Sequence, residues 1–246
     1  MRLQGKVAIV TGGGSGFGAG IVRKFVAEGA RVVVMDRDRV SAEMVAAETG
    51  ARPFAGDVTR LADFKAVRDL TLAEFGGLHV LVNNAGIGHV PTPLDEVDED
   101  TFDRINAVNI RSVYNSARAI VPHMKAQRYG AILNVASTGG VSPRPNLTWY
   151  NASKGWDIAA TRGMAVELAP FGIRVNAINP VAGDTPLLAT FMGADTPEIR
   201  AKFLSTIPLG RFSTPEDMGN AAAFLCSDEA SMITGVAMEV DGGRCI

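Results

Sequence analysis

Cysteine is almost missing from this chain: Cys226 and Cys245 are the only two in 246 residues. That is too few, and too near the C-terminal end, for a disulfide framework or a thiolate metal site. Histidine is nearly as scarce, and His79, His89 and His123 stand without metal-ligand spacing. An excess of one charge is missing as well. A formal net charge of −2 leaves no basic stripe to neutralise phosphates, which excludes nucleic acid as the main partner. No apolar run approaches the roughly 18 residues needed to span a bilayer. The short one in MRLQGKVAIVTGGG ends in glycines too early for a signal-peptide core. There is no G-x-S-x-G elbow of a hydrolase and no fixed-period repeat. The expectation is a reduced, cytoplasmic protein with no metal and no membrane partner.

What the chain does have is 47% hydrophobic residues and 27 glycines without low-complexity bias. With no clear linker, residues 1–246 are expected to form a single domain. Seven β-branched runs recur: KVAIVT, RVVVMD, ARPFAGDV, LHVLVNN, AILNVAS, IRVNAIN and VAMEVD. They are apolar nearly throughout, as parallel strands buried on both faces must be. Between them lie segments such as FGAGIVRKFVAEGA and ADFKAVRDLTLAEFG, with apolar residues three and four apart and a glycine near the end, as in amphipathic helices. Strand alternating with helix predicts a Rossmann-type α/β fold: a doubly wound, seven-stranded parallel sheet with helices on both faces. The alternation loosens at about residues 181–212, an irregular excursion after a strand. In such folds ligands sit beyond the carboxyl ends of the strands, so this segment is a candidate lid.

The first strand runs into TGGGSGFGAG and then a helix. Glycines let the backbone approach a pyrophosphate, and a helix N-terminus offers free N–H groups. The G-x-G-x-x-G/A pattern fits from Gly14 to Ala19 in an awkward register, and a simple turn is the alternative. Asp36, at the end of the second strand, is placed to accept hydrogen bonds from an adenosine ribose. Its charge favours NAD over NADP, although Arg37 and Arg39 beside it could bind a 2′-phosphate.

Thr11-Gly12-x-x-x-Gly16-x-Gly18, then Asn83-Asn84-Ala85-Gly86, then Ser137, and Tyr150-x-x-x-Lys154 thirteen residues later resemble the classical short-chain dehydrogenase/reductases. The resemblance covers essentially the whole chain. It implies that Gly12, Ser15, Gly16, Phe17 and Gly18 form the cofactor cradle, with Asp36 and Arg37 near the ribose. Asp57 and Val58 would contact adenine, and Asn84, Ala85 and Gly86 would line the crevice. Asn109 matches the family's helix asparagine that holds a water in the proton relay. Pro180 and Thr185 keep their places in a loop where the family usually has Pro-Gly-x-Ile/Val-x-Thr. Here the glycine has moved to Gly183, which leaves the pocket floor open. Homodimers or homotetramers are usual in the family, with the helix from Trp149 to Leu168 as an interface or a core helix.

The implied reaction interconverts a secondary alcohol and a ketone, small-molecule substrates both. A free phenol, with a pKa near ~10, is a poor base at neutral pH. A lysine ammonium at roughly 4 Å, in an effective dielectric of about 20, favours phenolate by on the order of 4 kcal/mol before desolvation. Tyr150 and Lys154 are therefore read as the acid/base pair. Ser137 is read as a donor to the substrate oxygen, with Thr138 expected to point away by strand alternation. Tyr114 and Arg118, with the same spacing, are expected to be helix packing and surface. The candidate substrate pocket is Val141, Arg144, Asn146 and Trp149 with Leu187, Leu188, Phe191 and Met192. Arg144 is expected to face solvent, a substrate carboxylate being its alternative partner. Two rival readings are an NADP-dependent carbonyl reductase such as a 3-oxoacyl-carrier-protein reductase, and a catalytically silent nucleotide-binding scaffold.

Overall fold

A computed structural model describes residues 1–246. Its strands are β1 (Val7–Thr11), β2 (Arg31–Asp36), β3 (Arg52–Ala55), β4 (Val80–Asn83), β5 (Gly130–Val135), β6 (Ile173–Pro180) and β7 (Ala237–Val240). They form one sheet in the order β3-β2-β1-β4-β5-β6-β7, every neighbouring pair parallel. The helices are α1 (Gly16–Ala27), α2 (Arg39–Thr49), α3 (Leu61–Phe75), α4 (Glu99–Ile105), α5 (Ser112–Gln127) and α6 (Thr148–Leu168). They continue with α7 (Pro186–Met192), α8 (Pro197–Leu204) and α9 (Pro215–Cys226). No helix is long and apolar enough to cross a membrane.

The continuous apolar runs resolve into two cores because strand side chains alternate faces. Ala8, Val10, Val32, Val34, Val80, Val82, Ala131 and Leu133 join Ile21 and Phe25 of α1 and Met218 and Ala222 of α9 on one face. Their strand neighbours Ile9, Val33, Met35, Leu81 and Ile132 join Phe64 of α3, Ile120 of α5 and Leu168 of α6 on the other. A sheet covered on both sides is what the absence of polar alternation demanded.

The strand order reverses direction about β1, whose neighbours are β2 and β4. The crevice outside the carboxyl ends of β1 and β4 is thus the expected place for a ligand. Two elements differ from the sequence reading. The run ARPFAGDV is a strand only over Arg52–Ala55: β3 is an edge strand containing Pro53, and pairing ends when the Gly56 amide reaches the Asp36 carbonyl. Asp57 then turns the chain into α3, its Oδ1 accepting from the Thr59 amide at 2.8 Å. The predicted helix through INAVNIRSVYNSAR is interrupted, because Asn106–Arg111 forms a π-helical turn between α4 and α5. Such turns are short and concentrate at functional sites.

Candidate active site

The crevice is a cleft of about 750 Å³, within the range of cofactor and small-molecule sites. One end is the loop between β1 and α1. Gly12 has φ +62°, a conformation that side chains disfavour. A Cβ on Gly18 would collide with the Gly12 carbonyl oxygen, so the loop can close on the helix start only with glycine there. The Asn-Asn-Ala-Gly segment after β4 braces this loop. Asn84 Nδ2 donates to the carbonyls of Thr11 (2.9 Å) and Gly12 (3.1 Å), and Thr11 Oγ1 accepts from the amides of Asn84 and Ala85. Gly12, Ser15, Gly16, Phe17, Gly18, Asn84, Ala85 and Gly86 all line the cleft.

Asp36 lines it too, together with Arg37, Asp57 and Val58. Its carboxylate oxygens accept from the Gly14 and Asp38 amides, each at 3.0 Å. Arg39 does not line the cleft. It pairs with Glu43 one turn along α2 at 2.7 Å, on a side chain 77% exposed.

At the other end of the cleft, Ser137, Tyr150 and Lys154 come together. A Cβ placed on Gly139 would lie 3.4 Å from both Ser137 Oγ and Tyr150 Cε1, so the serine hydroxyl and the phenol ring flank one small space. Ser137 Oγ accepts from the Gly139 amide at 3.0 Å. Thr138 also lines the cleft, against expectation. β5 ends at Val135 and the chain enters a single 3₁₀ turn at Thr138–Gly140, so strand alternation no longer applies. Tyr150 is buried, its ring centroid 4.8 Å from that of Phe191.

Asn109 does not line the cleft. It is buried behind it, its Oδ1 accepting from the Ile87 amide and its Nδ2 donating to the Ile87 carbonyl and to Ser153 Oγ. It therefore ties the loop segment after Gly86 to helix α6. Tyr114 and Arg118 form a separate exposed pair, Nη1 to the phenol oxygen at 3.0 Å. His79 accepts the Val7 amide on Nδ1, a bond that joins β1 to the approach of β4.

Lys154 is buried, and its Nζ donates to the Val135 carbonyl (2.9 Å) and to Asp157 Oδ2 (3.0 Å). Asp157 was not singled out in the sequence. Burial pulls the lysine down, but Asp157 and Tyr150 more than offset that and hold it above its ordinary pKa. Burial pushes Asp157 up, and Lys154 pulls it only partly back. The signal was available. Tyr150, Lys154, Asp157 and Thr161 fall at helical intervals, so four polar side chains share the face of α6 that the fold buries.

The altered loop after β6 has a physical account. Pro180 and Thr185 both line the cleft, and Gly183 packs where a Cβ would enter the Phe17 ring. The displaced glycine thus seats a cradle side chain. Gly183→Ala is expected to lower stability by about 1–3 kcal/mol through overpacking, and Phe17→Leu should recover part of it. Urea denaturation of the single and double variants measures that coupling; purely additive losses would count against it.

Of the remaining pocket candidates, Arg144, Leu187, Leu188 and Phe191 line the cleft. Val141, Asn146, Trp149 and Met192 do not. Val141 is exposed, Met192 is buried in α7, Trp149 Nε1 donates to the Leu94 carbonyl, and Asn146 sits at φ 62° with its carbonyl on the Thr92 amide. Leu147, Thr190 and Phe203 line the cleft without having been expected. Arg144 turns inward rather than to solvent, stacked on Phe203.

A family model described as enoyl-(acyl carrier protein) reductase matches residues 12–244. The chain is 51% identical, over the full length of both, to 4-formylbenzenesulfonate dehydrogenase of Comamonas testosteroni. It is 39% identical to 2-(S)-hydroxypropyl-CoM dehydrogenase 3 of Xanthobacter autotrophicus, over 98% of this chain and 97% of that one. The crystal structure of a 3-ketoacyl-(acyl-carrier-protein) reductase from Brucella melitensis complexed with NADH superposes with a TM-score of 0.94. The two share 52% identity, with 99% of this chain and 100% of that chain covered. The chain belongs to the short-chain dehydrogenase/reductase family. It is an NAD(P)-dependent oxidoreductase acting between alcohols and carbonyl compounds.

Proposed function

We propose that this enzyme uses NAD to interconvert a secondary alcohol and a ketone, with Tyr150 as the acid/base group. The observation that carries the proposal is the cleft itself. A glycine cradle and an amide-held carboxylate lie at one end, and Ser137, Tyr150 and Lys154 meet at the other. The cradle fits a dinucleotide, because glycine at Gly18 lets the loop close on the start of α1, where unpaired helix N–H groups can meet a pyrophosphate. When bound, the cofactor supplies the hydride chemistry. The chain's own groups do the rest. Tyr150 moves a proton at the substrate oxygen, Ser137 donates a hydrogen bond to that oxygen, and Lys154 favours the phenolate through its charge and reaches the nicotinamide ribose. Asn109 is a positioning residue that holds the loop after Gly86 against α6 beside a relay water, and Thr185 is placed for the carboxamide. Residues 181–212, with α7 and α8, form the lid of a single dinucleotide-binding and catalytic domain. We assign the protein to the cytoplasm as a homodimer or homotetramer, with α6 at the interface; Val166 on that helix is 80% exposed.

Asp36 supports NAD over NADP: its charge stands where a 2′-phosphate would lie, and Arg39 is tied to Glu43. Parallel fluorescence titrations are expected to give tighter binding of NADH than NADPH. Asp36→Ala should narrow the difference by about ten-fold or more, as loss of one charge repulsion allows. Tighter NADPH binding by the parent enzyme would favour the second reading, a carbonyl reductase in which Arg37, the arginine that lines this end of the cleft, holds the phosphate.

A further inference from the structure

Beyond Tyr150 the cleft carries a positive charge that no acid neutralises. Arg144 leaves the loop before α6 and lies 4.4 Å over the Phe203 ring, donating once, to Thr206 Oγ1 at 3.1 Å. It forms no salt bridge. The two arginines nearest the same lid do: Arg200 holds Asp195 and Arg211 holds Asp217. A second guanidinium stands near it. Arg244 donates Nη1 to Ser142 Oγ at 3.0 Å, and its Nε is buried with no partner. Burial, then repulsion from Arg244, pulls Arg144 below its ordinary pKa. No carboxylate forms an ion pair with either guanidinium, and none acts on Arg144. Asp241 accepts the amides of Gly243 and Cys245, and Asp184 faces Arg200.

An unpaired, half-buried guanidinium is unfavourable in a finished core and useful in a binding site. The Phe203 ring lies against the guanidinium, and four of its five N–H groups have no protein partner and can meet two oxygens side by side. Leu147, Leu188, Phe191 and Phe203 line the cleft with it.

We infer that Arg144 binds a carboxylate or sulfonate on the substrate, at the far end of an apolar body that runs from Tyr150 past Phe191 to Phe203. The orientation rests on the proposed reaction at Tyr150; the anion site does not. The substrate class is then a hydroxy- or oxo-acid in which the anion lies remote from the reacting carbon.

The test uses the enzyme saturated with oxidised NAD, with which a ketone cannot react, and three ketones that differ at one position: 4-acetylbenzoate, 4-acetylbenzenesulfonate and 4-acetylbenzamide. Calorimetric titration should give at least about ten-fold tighter binding for one or both anions than for the amide, as a charge-assisted hydrogen bond allows. Arg144→Met should abolish that preference and Arg144→Lys restore part of it, while NADH binding at the opposite end of the cleft shows that both variants are folded. The preference should persist in Tyr150→Phe, so a failure of the proposed chemistry would leave it intact. Carboxylate and sulfonate are told apart by which of the two keeps the advantage. Equal binding of amide and anions by the parent, or a preference that survives Arg144→Met, overturns the inference.

Discussion

Tyr150→Phe is expected to lower kcat by about 10²–10⁴-fold, the range typical of a lost acid/base group. The ring itself should remain in place. Tyr150 is 7% exposed and packs on Phe191, contacts that phenylalanine keeps. NADH binding and the melting temperature should therefore change little, which separates loss of chemistry from loss of fold. Tyr114→Phe is the matched control. That phenol also has a cation one turn away, but the pair is exposed and outside the cleft, so turnover should be unaffected. Steady-state rates on an alcohol and ketone panel decide the matter, and a Phe variant as fast as the parent would remove Tyr150 from the mechanism.

Asp157→Asn is expected to move the alkaline limb of the pH–rate profile toward acid, because a close buried carboxylate is what holds Lys154 charged. Asp157 holds Lys154 protonated from 3.0 Å, and both side chains are almost entirely buried. Without that carboxylate Lys154 loses its proton at lower pH, so the alkaline limb falls earlier.

Stability follows the directions of the two shifts. Lys154 is raised in the fold, so its contribution is fully present below its unfolded pKa and is lost as pH rises through the higher folded value. Asp157 is raised as well, so the folded form binds its proton more tightly. Its effect is therefore to weaken the fold as pH climbs from the unfolded value of about 4 through the folded one. Asparagine keeps an acceptor for the ammonium, whereas Asp157→Leu strands a buried cation and should cost about 3–5 kcal/mol. A residue that served packing alone would lower the melting temperature of Asp157→Asn and leave the alkaline limb where it was.

Much of the fold was legible because a parallel sheet covered on both faces imposes one pattern everywhere. The runs VAIVT, RVVVMD and AILNV have no polar face to hide. β3 was misjudged in length because an edge strand has only one neighbour to enforce pairing, and composition does not reveal where pairing stops. At the site, glycines and polar residues at fixed intervals were readable from Gly12 to Lys154, since loop closure and helix phase are local. Thr138, Trp149 and Arg144 were misjudged because their orientation is set by a 3₁₀ turn, by the Leu94 carbonyl and by the Phe203 ring, all of them partners made by tertiary folding. Asp157 was missed for a different reason. A single acid on a helix reads as a surface group until its face is known to be buried.

The π turn at Asn106–Arg111 changes how this part of the chain tolerates change. A π turn accommodates one more residue than the α-helix it replaces, which offsets the angular phase of the helix beyond it by about 100°. Asn109 can therefore aim at Ile87 and Ser153 while Ala119 and Ile120, further along, aim at the sheet core. A regular helix could have been rotated to satisfy only one of these two demands. The extra residue uncouples them: mutations that reshape the core face of α5 need not rotate the asparagine, and changes around Asn109 need not disturb the core. Deleting one residue within the turn would tie the two together again and force the helix to choose.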